Sequence, residues 1–295
     1  MTDAAGGIEY RDHYFDDPLA LASFERCAKS VFGLDFGKWK ARGLWDDRYQ
    51  AFSAFVEGEC VASLCVYPLE MTIDNKKRTG AQLLTVGTIN AYRSRGIQRA
   101  LWSRAEAWIR TECDFAFLFT DESAAGFYEK IGLRRRREFS QIVPFRPPRD
   151  RAPARFTKLD IDRDSHFAIV ERLARERTPV SRRIGYYNPN LLLFMFLYVY
   201  GDLTFFIEEF DAVVVAEKSG GSLRIHDIVA AAMPRVADLE RFFARFDVTE
   251  IEFLFCTDRL DLGVSSTREV KDDVLFVSDD FELDGEFVFP YSIRG

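Results

Sequence analysis

Residues 85–133 constrain this chain more than any other stretch. An apolar strand ending at Thr88 gives way to Arg93-Ser94-Arg95-Gly96-Ile97-Gln98, and a helix follows with Leu101, Ala105, Trp108 and Ile109 on one face. A second, fully apolar strand, Phe115 to Thr120, leads into Asp121-x-x-Ala124-x-x-Phe127-Tyr128-Glu129-Lys130-x-Gly132-Leu133. A strand, a basic glycine-containing turn and a helix start together form an anion cradle. The first N–H groups of a helix lack intrahelical acceptors, the helix dipole favours negative charge, and glycine lets the backbone approach a phosphate. Arg93, Arg95 and Arg99 add positive charge, so a pyrophosphate is the anion expected here. Tyr128 is a candidate proton donor.

Composition narrows the partners. The net charge of -7 argues against general nucleic-acid binding and suits a cationic small substrate. The five cysteines are odd in number, scattered and without a C-x-x-C, which predicts reduced, mostly buried thiols in a cytoplasmic protein. His13, His166 and His226 lie far apart, so no metal site is expected. The start of the chain lacks the basic and apolar regions of a signal peptide. Leu191 to Tyr200 is the most apolar window, yet it falls short of the ~20 residues that span a bilayer, so it reads as a core helix end or buried strand and no membrane partner is expected.

Along the chain, 16–32 has helical spacing with Asp16 and Asp17 as candidate caps, and 35–47 reads as a second short helix and a turn. Strands are expected at Ala51–Val56 and Cys60–Pro68 around Glu57-Gly58-Glu59, and at Glu70–Ile73 and Thr79–Thr88 around Asp74-Asn75-Lys76-Lys77. A helix over 97–112, a strand at Phe115–Thr120, a helix over Ser123–Ile131 ended by Gly132 and a strand at Arg134–Val143 complete the first half. The arginine run 134–137 reads as a solvated strand edge. Pro144 to Pro153, dense in Pro and Arg, is the candidate linker. Beyond it, a helix over 164–177, strands at Leu203–Glu208, Ala212–Glu217 and Leu223–Ala230, a helix over Val236–Phe246 and strands at Glu250–Cys256, Asp273–Ser278 and Glu286–Phe289 loosely repeat the earlier order.

The order and spacing of Arg93-x-x-Gly96-x-Gln98 and of Asp121 to Leu133 resemble the Gcn5-related N-acetyltransferase (GNAT) superfamily. The resemblance implies an α/β (α+β sandwich type) fold with tandem acetyltransferase-like domains, each a mixed, mostly antiparallel twisted sheet flanked by helices. Residues 1–147 would be an acyl-CoA-binding domain, 148–154 a linker, and 155–295 a degenerate copy without a phosphate-binding loop. It further implies acetyl-CoA as co-substrate, bound by Val86, Gly87, Thr88, Arg93, Ser94, Arg95, Gly96, Ile97, Gln98, Arg99, Asp121 and Phe127. Gln98 departs from the family's usual Gly or Ala, and its side chain would either crowd the pyrophosphate or point away from it. Asp121 would bond the cofactor or merely cap the next helix.

Acyl transfer to an amine raises two proton problems. An alkyl amine with a pKa of about 10.4 arrives protonated, and the departing thiolate needs stabilisation. Tyr128 stands where the family often carries the acid. The base is left among Glu70, Asp46, Asp47 and the Gly295 carboxylate. Direct attack in a ternary complex is expected, since no cysteine lies in a site motif. The acceptor, a small-molecule or peptide amine, is open among polyamine, aminoglycoside, amino acid, peptide N-terminus and lysine. A non-catalytic acyl-CoA sensor and a partner-binding protein are the rival readings. His226-Asp227 reads as a structural pair.

Overall fold

The computed structural model describes residues 7–148, 155–263 and 265–294. Two compact units are interleaved in sequence. The first takes the chain up to Leu69, Thr79–Arg136 and Val274–Glu282; the second takes Glu70–Arg78, Arg137–Asp273 and the residues from Leu283. In chain order the elements are β1 (Ile8–Asp12), α1 (Pro18–Phe32), α2 (Gly37–Ala41), β2 (Gln50–Val56), β3 (Glu59–Ile73), β4 (Lys76–Thr88), α3 (Ile97–Glu112), β5 (Phe115–Thr120), α4 (Ala125–Lys130) and β6 (Arg134–Arg136). There follow β7 (Phe139–Pro144), β8 (Phe156–Lys158), α5 (Asp164–Glu176), β9 (Ile184–Tyr187), α6 (Pro189–Tyr198), β10 (Thr204–Ile207), β11 (Ala212–Ser219), β12 (Ser222–Ala230), α7 (Val236–Phe243), β13 (Glu250–Phe253), β14 (Ser266–Glu269) and β15 (Val274–Val277).

The sheet of the first unit runs β1-β2-β3-β4-β5-β15-β6. Its β4–β5 pair is parallel, while β1–β2, β2–β3, β5–β15 and β15–β6 are antiparallel. The second unit's sheet runs β14-β7-β13-β12-β11-β10-β8 and has one parallel pair among those described, β12–β13. Two mixed α/β sheets with flanking helices are therefore the fold class.

Local chemistry sets the elements. Asp17 caps α1 by accepting from the Leu19 and Ala20 amides, with Pro18 at the first helical position and Gly33 closing the helix at φ 69°. Glu57 and Gly58, both at positive φ, make the two-residue turn between β2 and β3, and Asp74 and Asn75 do the same between β3 and β4. The strands expected at 60–68 and 70–73 are one continuous β3. On one edge of β3, β2 pairs only as far as Val66 and β9 takes over at Glu70, so Pro68 lies in the gap between these two partners. In the first core, Leu101, Trp102 and Ala105 of α3 pack with Phe52, Leu64, Val66, Leu118 and Phe276 of the sheet. Leu191, Leu192, Leu193, Met195 and Phe196 of the apolar window are buried in α6, and no described helix is long and apolar enough to cross a membrane.

Other expectations are corrected. The single strand expected at 134–143 is two, because β6 joins the first unit's sheet and β7 the second's. The strand expected near the chain's end at Asp273–Ser278 is β15, which lies between β5 and β6 in the first sheet. Residues 286–289 form no strand; the Phe287 carbonyl accepts from Phe139 N, while the Phe289 amide donates to the Glu138 carboxylate. A division at 147 would fall three residues past the end of β7, which belongs to the second unit. Residues 149–154 of the expected linker lie outside the described residues.

Candidate functional site

The turn before α3 is built from left-handed backbone. Ser94 (φ 61°) and Gly96 (φ 77°) both lie at positive φ, and Gly96 is the N-cap of α3 with no side chain bonded to it. Such a sequence of conformations turns successive N–H groups toward one concavity. The amides of Arg99 (3.1 Å) and Ala100 (3.2 Å) close on the Gly96 carbonyl, so the amides before them point out of the helix start. A Cβ placed on Gly96 would meet nothing within 4 Å, so the hollow is open. Two of the three arginines also brace the turn. Arg93 Nε donates to the Thr88 carbonyl (3.0 Å), and Arg95 donates to the Ala91 carbonyl (2.9 Å) while lying 4.9 Å over the Tyr92 ring. Arg99 is exposed on the first turn of α3.

Strand β4 leaves its neighbour early. It pairs with β5 only from Gly80 to Gln82, opposite Phe115 to Phe117, then runs on to Thr88. The reach beyond β5 carries Val86, Gly87 and Thr88. Just before it, Thr85 sits at φ 44°, its hydroxyl shared with Tyr49 (2.8 Å) and its carbonyl accepting from Ser63 Oγ (2.8 Å). This kink was missed in the sequence, because a β-branched residue carries no signal for left-handed backbone. Gly87 also makes room for the end of α1. A Cβ there would lie 2.5 Å from Phe32 Cζ and 2.7 Å from Val31 Cγ1, so the end of α1 rests on this glycine.

Gln98 turns toward the sheet rather than over the turn. Its Nε2 donates to the Ser63 carbonyl (3.0 Å) and the Gly87 carbonyl (2.7 Å) and touches Thr88 Oγ1 (3.1 Å).

Tyr128, on the short helix α4, shares one core cluster with Ile97, and Val86 and Phe127 pack against that cluster. Its ring lies 5.1 Å from Phe127 and 5.5 Å from Phe276. Burial pushes its hydroxyl up to about 12, opposed by a hydrogen bond with Thr120. The carboxylate of Asp121 accepts from Ser123 N (2.8 Å), Ser123 Oγ and Ala124 N (3.2 Å), which holds its pKa below the ordinary carboxylate value. That turn delays the start of the helix from the expected Ser123 to Ala125.

The candidate bases differ in what already holds them. Asp46 accepts from the Tyr67 hydroxyl (2.9 and 2.8 Å) and from Arg48 (2.8 Å). Asp47 is exposed. Glu70 is exposed on β3 opposite Tyr187, in the second unit. Gly295 lies outside the described residues. Asp227 is bound by Arg177 (3.0 and 3.1 Å) and Ser292, which leaves it no part in orienting His226. Burial, with Arg224 nearby, pushes His226 down to about 4. Among the described residues, no group of three or more His, Cys, Asp and Glu could hold a metal ion.

The open turn at Ser94–Gly96, the end of β4 that β5 has left and the buried Tyr128 all belong to the first unit. Residues 22–135 match the family model described as an acetyltransferase (GNAT) domain. Those residues are therefore similar to a GNAT acetyltransferase domain. Comparison with curated proteins gave no match. Among solved structures, a probable N-acyltransferase of unknown function from Enterococcus faecalis is similar at 9% identity and TM-score 0.59, over 91% of this chain and 72% of that one. A GCN5-related N-acetyltransferase from Kribbella flavida is similar at 14% identity and TM-score 0.54, over 92% and 71%. Eis1 from Mycobacterium abscessus is similar at 19% identity and TM-score 0.54, over 91% and 72%. At these identities the likeness is one of fold.

Proposed function

We propose that this chain transfers an acetyl group from acetyl-CoA to a primary amine by direct attack in a ternary complex. The observation that carries the reading is the open left-handed turn at Ser94–Gly96, running into α3 beside a strand end that β5 has released. The N–H groups of that turn, with Arg93, Arg95 and Arg99, would hold the diphosphate. The edge of Val86, Gly87 and Thr88 would pair with the amides of the pantetheine arm, and an N–H of that edge would polarise the thioester carbonyl. The amine nitrogen forms the new C–N bond, the C–S bond breaks, and the amine's proton leaves to a base, a role we assign to Glu70. Tyr128 serves the departing thiolate as acid by donating a hydrogen bond from its hydroxyl to the sulfur.

Direct attack is supported by three of the five thiols, while Cys27, its pKa lowered by its hydrogen bond with Cys60, is buried in α1. Burial pushes Cys65, Cys113 and Cys256 up to about 12, which disfavours any of them as an acyl-carrying nucleophile.

Calorimetry with acetyl-CoA, followed by a thiol-release assay over polyamines, aminoglycosides, amino acids, peptides and lysine, tests the reading. Binding without turnover on any amine would make the chain a sensor; no binding at all would overturn the proposal. Glu70→Gln is expected to lower kcat most at neutral pH, and an unchanged rate would return the base to Asp47 or the chain terminus.

A further inference from the structure

The inference concerns Gln98 and rests on the cofactor reading above. Its amide orientation is fixed by chemistry. Two of its three contacts are backbone carbonyls, Ser63 at 3.0 Å and Gly87 at 2.7 Å, which can only accept. The NH2 end must therefore face them, and its two hydrogens match the two carbonyls. The other end is costly: Gln98 Oε1 is buried and has no hydrogen-bond partner among the described residues. A side chain chosen only for stability would not leave an acceptor buried and unpaired at this point.

The contacts fall where β4 most needs support. Beyond Gln82 β5 no longer pairs with it, and Thr85 is bent into left-handed backbone. Beyond the bend, the Ile89 amide donates to the Val61 carbonyl (3.0 Å). Gln98 grips Gly87 and Ser63 between these two points. Within a strand, the C=O groups of successive residues point to opposite edges. Fixing the Gly87 carbonyl toward Ser63 therefore sends the peptide groups of Val86 and Thr88 to the other edge, the one β5 has left. Arg93 Nε already takes the Thr88 carbonyl there (3.0 Å). The first turn of α3, which faces the phosphates, is thus tied by one side chain to the strand that would meet the arm.

We propose that Gln98 is a positioning residue for the pantetheine arm: its amide sets the rotation of the Gly87 peptide, so that the open edge of β4 is preformed for the arm while the diphosphate turn stays clear.

Calorimetry on the full chain separates the two ends of the ligand. Wild type, Gln98→Ala and Gln98→Met are titrated with acetyl-CoA and with the nucleotide fragment of coenzyme A that lacks the arm. Both substitutions are expected to weaken acetyl-CoA about fivefold to tenfold, the worth of one or two lost hydrogen bonds, and to leave the fragment unchanged. Methionine fills the space without donating, so it keeps the test alive if alanine unfolds the chain. Equal loss for both ligands would make Gln98 a general strut and overturn the proposal, as would no loss for either. Failure of the wild type to bind either ligand would instead overturn the cofactor reading, and this inference with it.

Discussion

Removing one oxygen, in Tyr128→Phe, tests the acid directly. Burial pushes the hydroxyl up to about 12. A thiol like that of coenzyme A titrates near ~8.5, so complete proton transfer would be uphill by ~3.5 units, or ~5 kcal/mol. That magnitude decides the role: Tyr128 keeps its proton and donates a hydrogen bond to the charge growing on sulfur. A bond to a charged group contributes about 1.5–3 kcal/mol. At about 1.4 kcal/mol per factor of ten, kcat should fall about 10- to 150-fold, with KM for acetyl-CoA little changed. The fold should survive, since the phenyl ring fills the same space against Phe127 and Phe276. The assay is thiol release at saturating amine, followed from pH 6 to 11. A tyrosine whose pKa is raised on folding contributes stability that is fully present below its unfolded value of ~10 and lost as pH rises through about 12. No loss of activity below pH ~10 should therefore come from this group. A kcat within twofold of wild type would refute the assignment.

Three further substitutions probe the frame. Gly87→Ala should cost about 1–3 kcal/mol in urea denaturation, because its Cβ would strike Phe32 and Val31; Phe32→Ala in the same chain should recover part of that, and strict additivity would refute the contact. Gly96→Ala should cost about 1–2 kcal/mol through its left-handed backbone and raise KM for acetyl-CoA but not for the amine, so equal changes in both would remove the turn from the cofactor site. Asp227→Ala should cost about 3–5 kcal/mol, since it strands Arg177, whose side chain is only 1% exposed; a loss under about 1 kcal/mol would show the pair to be dispensable.

The legible parts of the site were those written in local periodicity. Helix α3 (Ile97–Glu112) and strand β5 (Phe115–Thr120) fall at the residues expected, because an amphipathic stripe and an apolar run declare themselves within a few residues. The turn at Gly96 was legible because glycine marks positive φ. Thr85 was not, since its left-handed backbone is imposed by Tyr49 and Ser63 rather than by its own preference. The direction of Gln98 was equally hidden, being set by two carbonyls 11 and 35 residues away in the chain. The arginines were seen as charge, yet Arg93 and Arg95 also serve as braces. The destinations of β7 and β15 were beyond reach for a broader reason. Each carries an ordinary strand pattern, and nothing local says which sheet it will join.

Strand β15 sets a timetable for the ribosome. The first unit's sheet lacks an inner member until residues 274–277 have emerged, long after β5 and β6 have been made. Until then the flanks of Phe117–Thr120 and Arg134–Arg136 wait for a partner, an invitation to mispairing that the arginines help to deter. A fragment cut after residue 147 would hold every residue of the coenzyme motif and still be unable to close the sheet around it.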